Sequence, residues 1–298
     1  MRKDGIGCLS IGDIVVLKGK AKEGKTHALI CFISALLKGE YLGLKAMKQN
    51  TKVLFTDTEQ NPMNTAIFVK KVHAICGFPE DEDNPRFHAF NLRGDNPEAR
   101  CTLISQAVKY FKPDVLVIDG VKDLIKGSNI NDPESSGATV QFLMTLTHDF
   151  NIAVLTTLHE NKSLNDSNLR GHIGSELANK SSECWQVKKY GEIFGTYQTE
   201  CRNEPAEGFS FTFNVENLPV PAEHTIKKSI KQLKEQKMKE FFEQCLPEGV
   251  SLRFKDLRSK YMALADYSVT SAETHISEAY RLKFLLKDKK GDYLFNYN

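Results

Sequence analysis

The stretch Gly19-Lys20-Ala21-Lys22-Glu23-Gly24-Lys25-Thr26 fits the pattern Gly-x-x-x-x-Gly-Lys-Ser/Thr at every position. Such a run is built to hold an anion. Glycines let the backbone fold tightly enough to aim its N–H groups at phosphate oxygens, and the helix that follows presents its positive end to the same charge. In that arrangement Lys25 reaches the β- and γ-phosphates and the Thr26 hydroxyl ligates Mg²⁺. The expected nucleotide contacts are therefore Gly19, Lys20, Ala21, Lys22, Glu23, Gly24, Lys25, Thr26 and His27. An ordinary glycine turn is the plain alternative, but a full match arises by chance in a chain this long on the order of one per cent of the time. The apolar run Ile14-Val15-Val16-Leu17 before it and Ala28-Leu29-Ile30-Cys31-Phe32 after it supply the strand and helix the chemistry requires.

A phosphate loop needs partners, and strand ends are where they stand. Asp119 follows Val115-Leu116-Val117-Ile118, in position to hold Mg²⁺ through water, so Thr26 and Asp119 are the expected metal ligands. Glu59 follows Val53-Leu54-Phe55-Thr56-Asp57-Thr58, with Asp57 as a weaker competitor, and His159 closes Thr156-Thr157-Leu158.

These strand ends belong to a regular alternation. Strands are expected at 13–18, 52–58, 87–92, 115–119 and 152–158, and helices at 25–37, 61–76, 97–111 and 136–150. That order builds an α/β fold with a mostly parallel central sheet covered on both faces. From about residue 180 the pattern changes to strands without long helices, at 184–189, 194–201 and 209–214, which reads as an antiparallel extension of the sheet. Leu218-Pro219-Val220-Pro221 reads as a short stiff linker. The expected division is an ATPase domain over 1–217, a linker over 218–225 and a small domain over 226–298. The first dozen residues lead almost at once into the first core strand, an abrupt start from which an amino-terminal region preceding this segment in a longer protein is expected.

The totals constrain the class more than the partner. The 298 residues suit one large domain and a small one, and 41% are hydrophobic, enough for a core. A net charge of +2 excludes a protein that binds polyanions by bulk charge, though charge can still be local. Seven cysteines are scattered singly, which argues against a disulfide framework or a zinc site and fits a reducing cytoplasm. No apolar span of membrane length occurs, so a cytoplasmic protein with no membrane partner is expected.

The phosphate loop, the strand-end residues Glu59, Asp119 and His159, and the segments Arg170-Gly171-His172-Ile173-Gly174-Ser175 and Thr199-Glu200-Cys201-Arg202-Asn203-Glu204-Pro205 together resemble the RecA-like P-loop ATPases of the RepA-like and DnaB-like hexameric helicase group, of AAA_25 type. The resemblance covers residues 5–216. It implies ATP and Mg²⁺ as cofactors, Glu59 as the general base that orients the attacking water, and His159 as a sensor of the γ-phosphate that passes its state to the adjacent loop. It also implies Arg202 as an arginine finger acting on a neighbouring subunit, with Arg170 as second candidate, and hence a homo-oligomer, a hexameric ring. Glu200 and Glu204 depart from the group's usual basic residue and glycine. The loop 161–169 would face single-stranded DNA, with Lys162 and Arg170 as its cations.

After the linker, three helices followed by a hairpin with Gly291 in its turn resemble a winged helix-turn-helix. Its third helix would turn Thr274, His275, Ser277, Glu278 and Arg281 to the major groove, with Lys287, Lys289 and Lys290 of the wing on phosphate. The leading reading is an ATP-driven DNA motor, most similar to RepA-like hexameric helicases, serving replication of a plasmid or other mobile element. The alternative is a DNA-binding ATPase switch for recombination or transposition that does not unwind. A small-molecule kinase is disfavoured, since no lid of clustered arginines is visible.

Overall fold

The computed structural model describes residues 1–298 apart from 81, 128–131, 162–167, 203, 223–229, 266 and 298, and apart from the side chains of 230–237 and 265. The chain divides into two compact units, Met1–Ile226 and Lys227–Asn298.

The first unit opens with two short strands, β1 (Arg2–Lys3) and β2 (Ile6–Gly7), before the phosphate-loop strand β3 (Ile14–Gly19) and helix α1 (Lys25–Lys38). Strands β4 (Glu40–Tyr41) and β5 (Leu44–Lys45) follow, and β5 pairs with β1, so these four strands form a small sheet of their own. The sequence reading passed over it, because strands of two residues carry no periodicity to detect.

Next come β6 (Val53–Asp57), α2 (Pro62–Cys76), β7 (Phe87–Asn91), α3 (Pro97–Phe111), β8 (Val115–Asp119), α4 (Pro133–Phe150) and β9 (Ala153–His159). Three of these helices start the same way. Asn61, Asn96 and Asp132 each accept a backbone N–H three residues on, and a proline fills the first helical position. The side chain satisfies an orphan donor and proline removes one that would have been unpaired. The same cap places the start of α4 at Pro133, a turn before the Ser136 read from periodicity.

Helix α5 (Gly171–Lys180), β10 (Glu183–Tyr190), β11 (Ile193–Cys201), β12 (Phe209–Phe213) and β13 (Pro219–Pro221) complete the unit. Among the described residues the large sheet has nine strands in the order β13-β12-β11-β10-β3-β9-β8-β6-β7. From β10 to β7 all pairs are parallel, and β11 to β13 extend the sheet antiparallel. This is an α/β fold consistent with a P-loop NTPase domain. Every residue of β3 is buried. Val15 and Leu17 join one core cluster with α1, while Ile14 and Val16 join the other with Ile104, Leu143 and Ile173, so helices cover both faces.

Two readings from sequence are corrected here. Pro219–Pro221 is an edge strand, Val220 opposite Thr212, rather than part of a linker; proline is tolerated there because an edge strand has N–H positions that need no partner. Helix α5 was not expected at all. It packs Ile173 and Leu177, one turn apart, into the core, and Gly174 sits so close that a Cβ there would come 2.6 Å from the Leu169 carbonyl carbon.

The second unit contains α6 (Ile230–Cys245), β14 (Ser251–Leu252), α7 (Phe254–Ala265), α8 (Val269–Arg281), β15 (Leu285–Lys287) and β16 (Tyr293–Phe295). Its three strands pair antiparallel in the order β14-β16-β15. Phe242, Leu257, Tyr261, Ile276 and Phe295 form its own core. Among the described residues no helix of the chain is long and apolar enough to cross a membrane.

Candidate active site at the carboxyl edge of the sheet

Register fixes the site. Gly19 lies opposite His159, and Asp57 opposite Asp119, so strands far apart in sequence end at one level. Gly24 there adopts φ 92° and a Cβ on it would press to 2.5 Å from the Phe194 ring, so only glycine gives this turn.

The Lys25 ammonium has three donors and uses all of them: on the Gly19 carbonyl at 3.0 Å, the Lys20 carbonyl at 2.9 Å and His159 Nδ1 at 3.1 Å. An ammonium cannot accept, so Nδ1 is the acceptor and the His159 proton sits on Nε2. That nitrogen faces Glu59, 3.8 Å from Oε2. The imidazole beside it holds the Glu59 carboxyl below the usual range, against a burial that works the other way. Lys25, His159 and Glu59 thus form one continuous polar line.

A second line runs through Asp119. Thr26 Oγ1 donates to Asp119 Oδ2 at 2.9 Å and Thr157 Oγ1 to Oδ1 at 2.6 Å. Burial pushes the Asp119 carboxyl up to about 6, with the two threonine bonds opposing the shift. A hydroxyl and a buried carboxylate in contact are hard oxygen donors of the kind Mg²⁺ takes. Asp57, the competitor to Glu59, is fully buried. Its oxygens accept from the Glu59 and Gln60 N–H groups, the Gln60 amide and Thr65 Oγ1, so it shapes the turn that carries Glu59.

These residues border a cleft of about 580 Å³. Ala21, Lys22, Gly24, Lys25, Thr26 and His27 line it together with Glu59, Asp119 and His159. Gly19, Lys20 and Glu23 are engaged within the loop instead, where the Lys20 N–H donates to Glu23 Oε2 at 3.0 Å. Ile30, Ile67, Phe68 and Phe194 give the cleft an apolar lining, with Phe194 against Gly24, and Lys71 and Lys189 line it too. His27 lies edge-on to Phe213 at 4.7 Å, and burial lowers its pKa to about 4, so it is neutral. Thr157, Lys71, Lys189 and Phe194 were not found from sequence. Only Thr157 had a signal there, its place two residues before His159 on a strand.

Other expected residues lie elsewhere. Arg202 is exposed, its backbone N–H on Ser182 O at 3.1 Å and its guanidinium on Lys180 O at 3.3 Å. Its neighbour Cys201 pairs with Glu183, which pairs with Val15, so Arg202 stands at the opposite edge of the sheet from the cleft. Glu200 reaches the buried Lys18 at 3.3 Å. The Arg170 N–H donates to the His159 carbonyl at 2.9 Å; Lys162 lies outside the described residues. In the second unit Arg281 pairs with Glu278 at 3.4 Å, and Lys287 sits over the Tyr280 and Tyr293 rings at 5.3 and 4.8 Å. Lys289 and Lys290 are exposed in the β15–β16 turn. His275 is turned inward, 3.1 Å from the Tyr261 hydroxyl, which removes it from the groove-reading set expected of α8.

No curated protein matches the chain. Residues 5–165 match the family model described as AAA domain. The family comprises P-loop ATPases that generally bind ATP and Mg²⁺ and often bind nucleic acids and oligomerise. The match spans more than half of the 298 residues and includes Lys25, Thr26, Glu59, Asp119 and His159, so the chain belongs to the AAA domain family of RecA-like P-loop ATPases.

Proposed function

We propose that this protein is an ATP-driven DNA motor similar to RepA-like hexameric helicases, of the kind that serves replication of a plasmid or other mobile element. The observation that carries the reading is the line Lys25–His159–Glu59, because it ties a phosphate contact, a strand-end base and the start of the loop at 161–169 into one chain of contacts. Lys25 has no spare donor, so a γ-phosphate must take one from a loop carbonyl or from His159. Loss of the Lys25 bond frees His159 Nδ1, and the imidazole can follow Glu59 or move with its own backbone carbonyl, which Arg170 holds at the loop's other end.

In this reading Lys25 binds the β- and γ-phosphates, Glu59 takes the proton of the attacking water, and Thr26 and Asp119 hold the metal. Mg²⁺, when bound there, supplies neutralising charge to the phosphates. Arg202 stands away from its own cleft, which supports a role in the cleft of a neighbouring copy and therefore an oligomer, a hexamer by the family resemblance. The two compact units, Met1–Ile226 and Lys227–Asn298, support an ATPase domain followed by a small one, and the second is read as a winged helix that contacts DNA through Arg281, Lys287, Lys289 and Lys290. Charge supports this: residues 227–298 carry fifteen Lys and Arg against ten Asp and Glu, while residues 1–226 carry 25 against 28.

The test is ATP turnover with and without single-stranded DNA, run beside strand displacement and sizing with nucleotide. DNA-stimulated turnover with displacement supports the motor. Turnover and DNA binding without displacement replace it by the recombination or transposition switch, and turnover that ignores DNA overturns both.

A further inference from the structure

On the other side of Glu59 and His159 from the nucleotide cleft lies a second recess, of about 460 Å³, and those two side chains form a wall common to both. Its remaining walls come from the ends of β6, β7 and β8. The floor is built rather than incidental. Arg100 donates from Nε to the Leu92 carbonyl at 2.9 Å, from Nη2 to the Arg93 carbonyl at 2.9 Å and from Nη1 to the Asp123 carbonyl at 2.7 Å, so it staples the loop after β7 to the turn after β8. The Thr58 hydroxyl lies within 3.1 Å of the Asp119 and Gly120 carbonyls and the Asp123 carboxylate. Burial raises the Asp123 pKa, with the Thr58 hydroxyl, Arg100 and Lys122 opposing the shift.

Two exposed cations line this recess. Arg93 and Lys122 are exposed, and among the described residues neither has a carboxylate within ion-pair distance. A guanidinium and an ammonium lining one open, polar recess offer the donor set that a tetrahedral oxyanion takes. The partition between the recess and the cleft is the Glu59–His159 pair, whose polar atoms are 3.8 Å apart.

We propose that the recess bounded by Arg93 and Lys122 is a phosphate-binding site, and that it receives orthophosphate leaving the cleft past Glu59 and His159. The assignment of orthophosphate rests on the ATPase reading above. Glu59 and His159 line both the cleft and the recess, so a phosphate cleaved beside Glu59 is set free next to the recess. A phosphodiester of a bound strand has the same chemistry, and the experiment separates the two sources.

The full chain is followed through a single turnover of ATP with Mg²⁺, cleavage by chemical quench and release by a fluorescent phosphate sensor, for the native protein, Arg93→Ala, Lys122→Ala and Lys122→Glu. The expected result is cleavage within about twofold of native and release slowed roughly tenfold in the alanine variants, more in Lys122→Glu. In parallel, orthophosphate is titrated by ³¹P line broadening into protein saturated with ADP and Mg²⁺, and an oligonucleotide is titrated by anisotropy. Loss of oligonucleotide affinity with unchanged release assigns the recess to a strand phosphate and overturns the exit. Unchanged release, orthophosphate binding and oligonucleotide affinity overturn the site altogether. If the native protein cleaves no ATP, the ATPase reading falls, and the ³¹P titration still decides whether the recess binds phosphate.

Discussion

Glu59 lies against the backbone of Gly120: a Cβ on Gly120 would come 2.8 Å from Glu59 Cδ and overlap its carboxylate. Gly120 has φ −176°, an extended conformation open to any residue, so its lack of a side chain serves the neighbour rather than the chain path. Gly120→Ala should therefore leave the fold and nucleotide affinity in place and displace the proposed base. Turnover should fall by roughly 10² to 10⁴, the range for a lost general base, with the melting temperature near native. Turnover and KM both unchanged would remove Glu59 from the mechanism.

Lys25→Ala should abolish hydrolysis, because the side chain that bridges Gly19, Lys20 and His159 is also the proposed contact to the γ-phosphate. Chelating Mg²⁺ should abolish hydrolysis of the native protein reversibly. Turnover that survives either treatment would sink the assignment of the cleft.

Arg202 and Glu59 stand at opposite edges of one sheet. Arg202→Ala and Glu59→Ala should each be inactive alone, and mixing them should restore part of the turnover, since a native cleft can then form between unlike copies. Coupled ATPase assays across mixing ratios read this directly, and a flat response would count against a shared site.

Truncation after Ile226 keeps the edge strand Pro219–Pro221 paired to β12, whereas a cut before Pro219 removes it. The shorter chain should retain basal ATP turnover, bind DNA more weakly, and show a shallower dependence of affinity on salt, because lysines that displace counterions are gone. An unchanged salt slope would make the second unit a protein-binding module.

Burial raises the Glu183 pKa, although Trp185 Nε1 and Gln198 Nε2 donate to its Oε2 at 3.2 and 2.7 Å. A carboxyl raised in the folded state adds stability at low pH that is lost as pH rises through its folded pKa. Glu183→Gln should be more stable than the native protein at pH 8, with the gap closing as pH falls towards the ordinary glutamate range. Thermal melts of both proteins across pH 5 to 8 measure the gap, and a constant gap would mean that Glu183 does not titrate there.

What the residues alone determined was local and periodic. The phosphate loop, the run of apolar strands and the acids at their ends were legible because each is written within a few consecutive positions. Helices α2 and α3 were bounded within a residue, since Asn-Pro caps and 3.6-residue spacing sit in the same stretch. Tertiary structure alone decided which strand ends meet. The order β3-β9-β8-β6 brings Thr157 to Asp119, and the turn after β8 brings Gly120 under Glu59, across separations no local pattern records. It also showed that four donors already claim the Asp57 carboxylate, and it revealed Pro219–Pro221 as a strand, because an edge position excuses the missing N–H. Arg93 and Lys122 belong to no motif in the sequence. They became a candidate site only when the sheet set them on the far side of Glu59 from the nucleotide cleft.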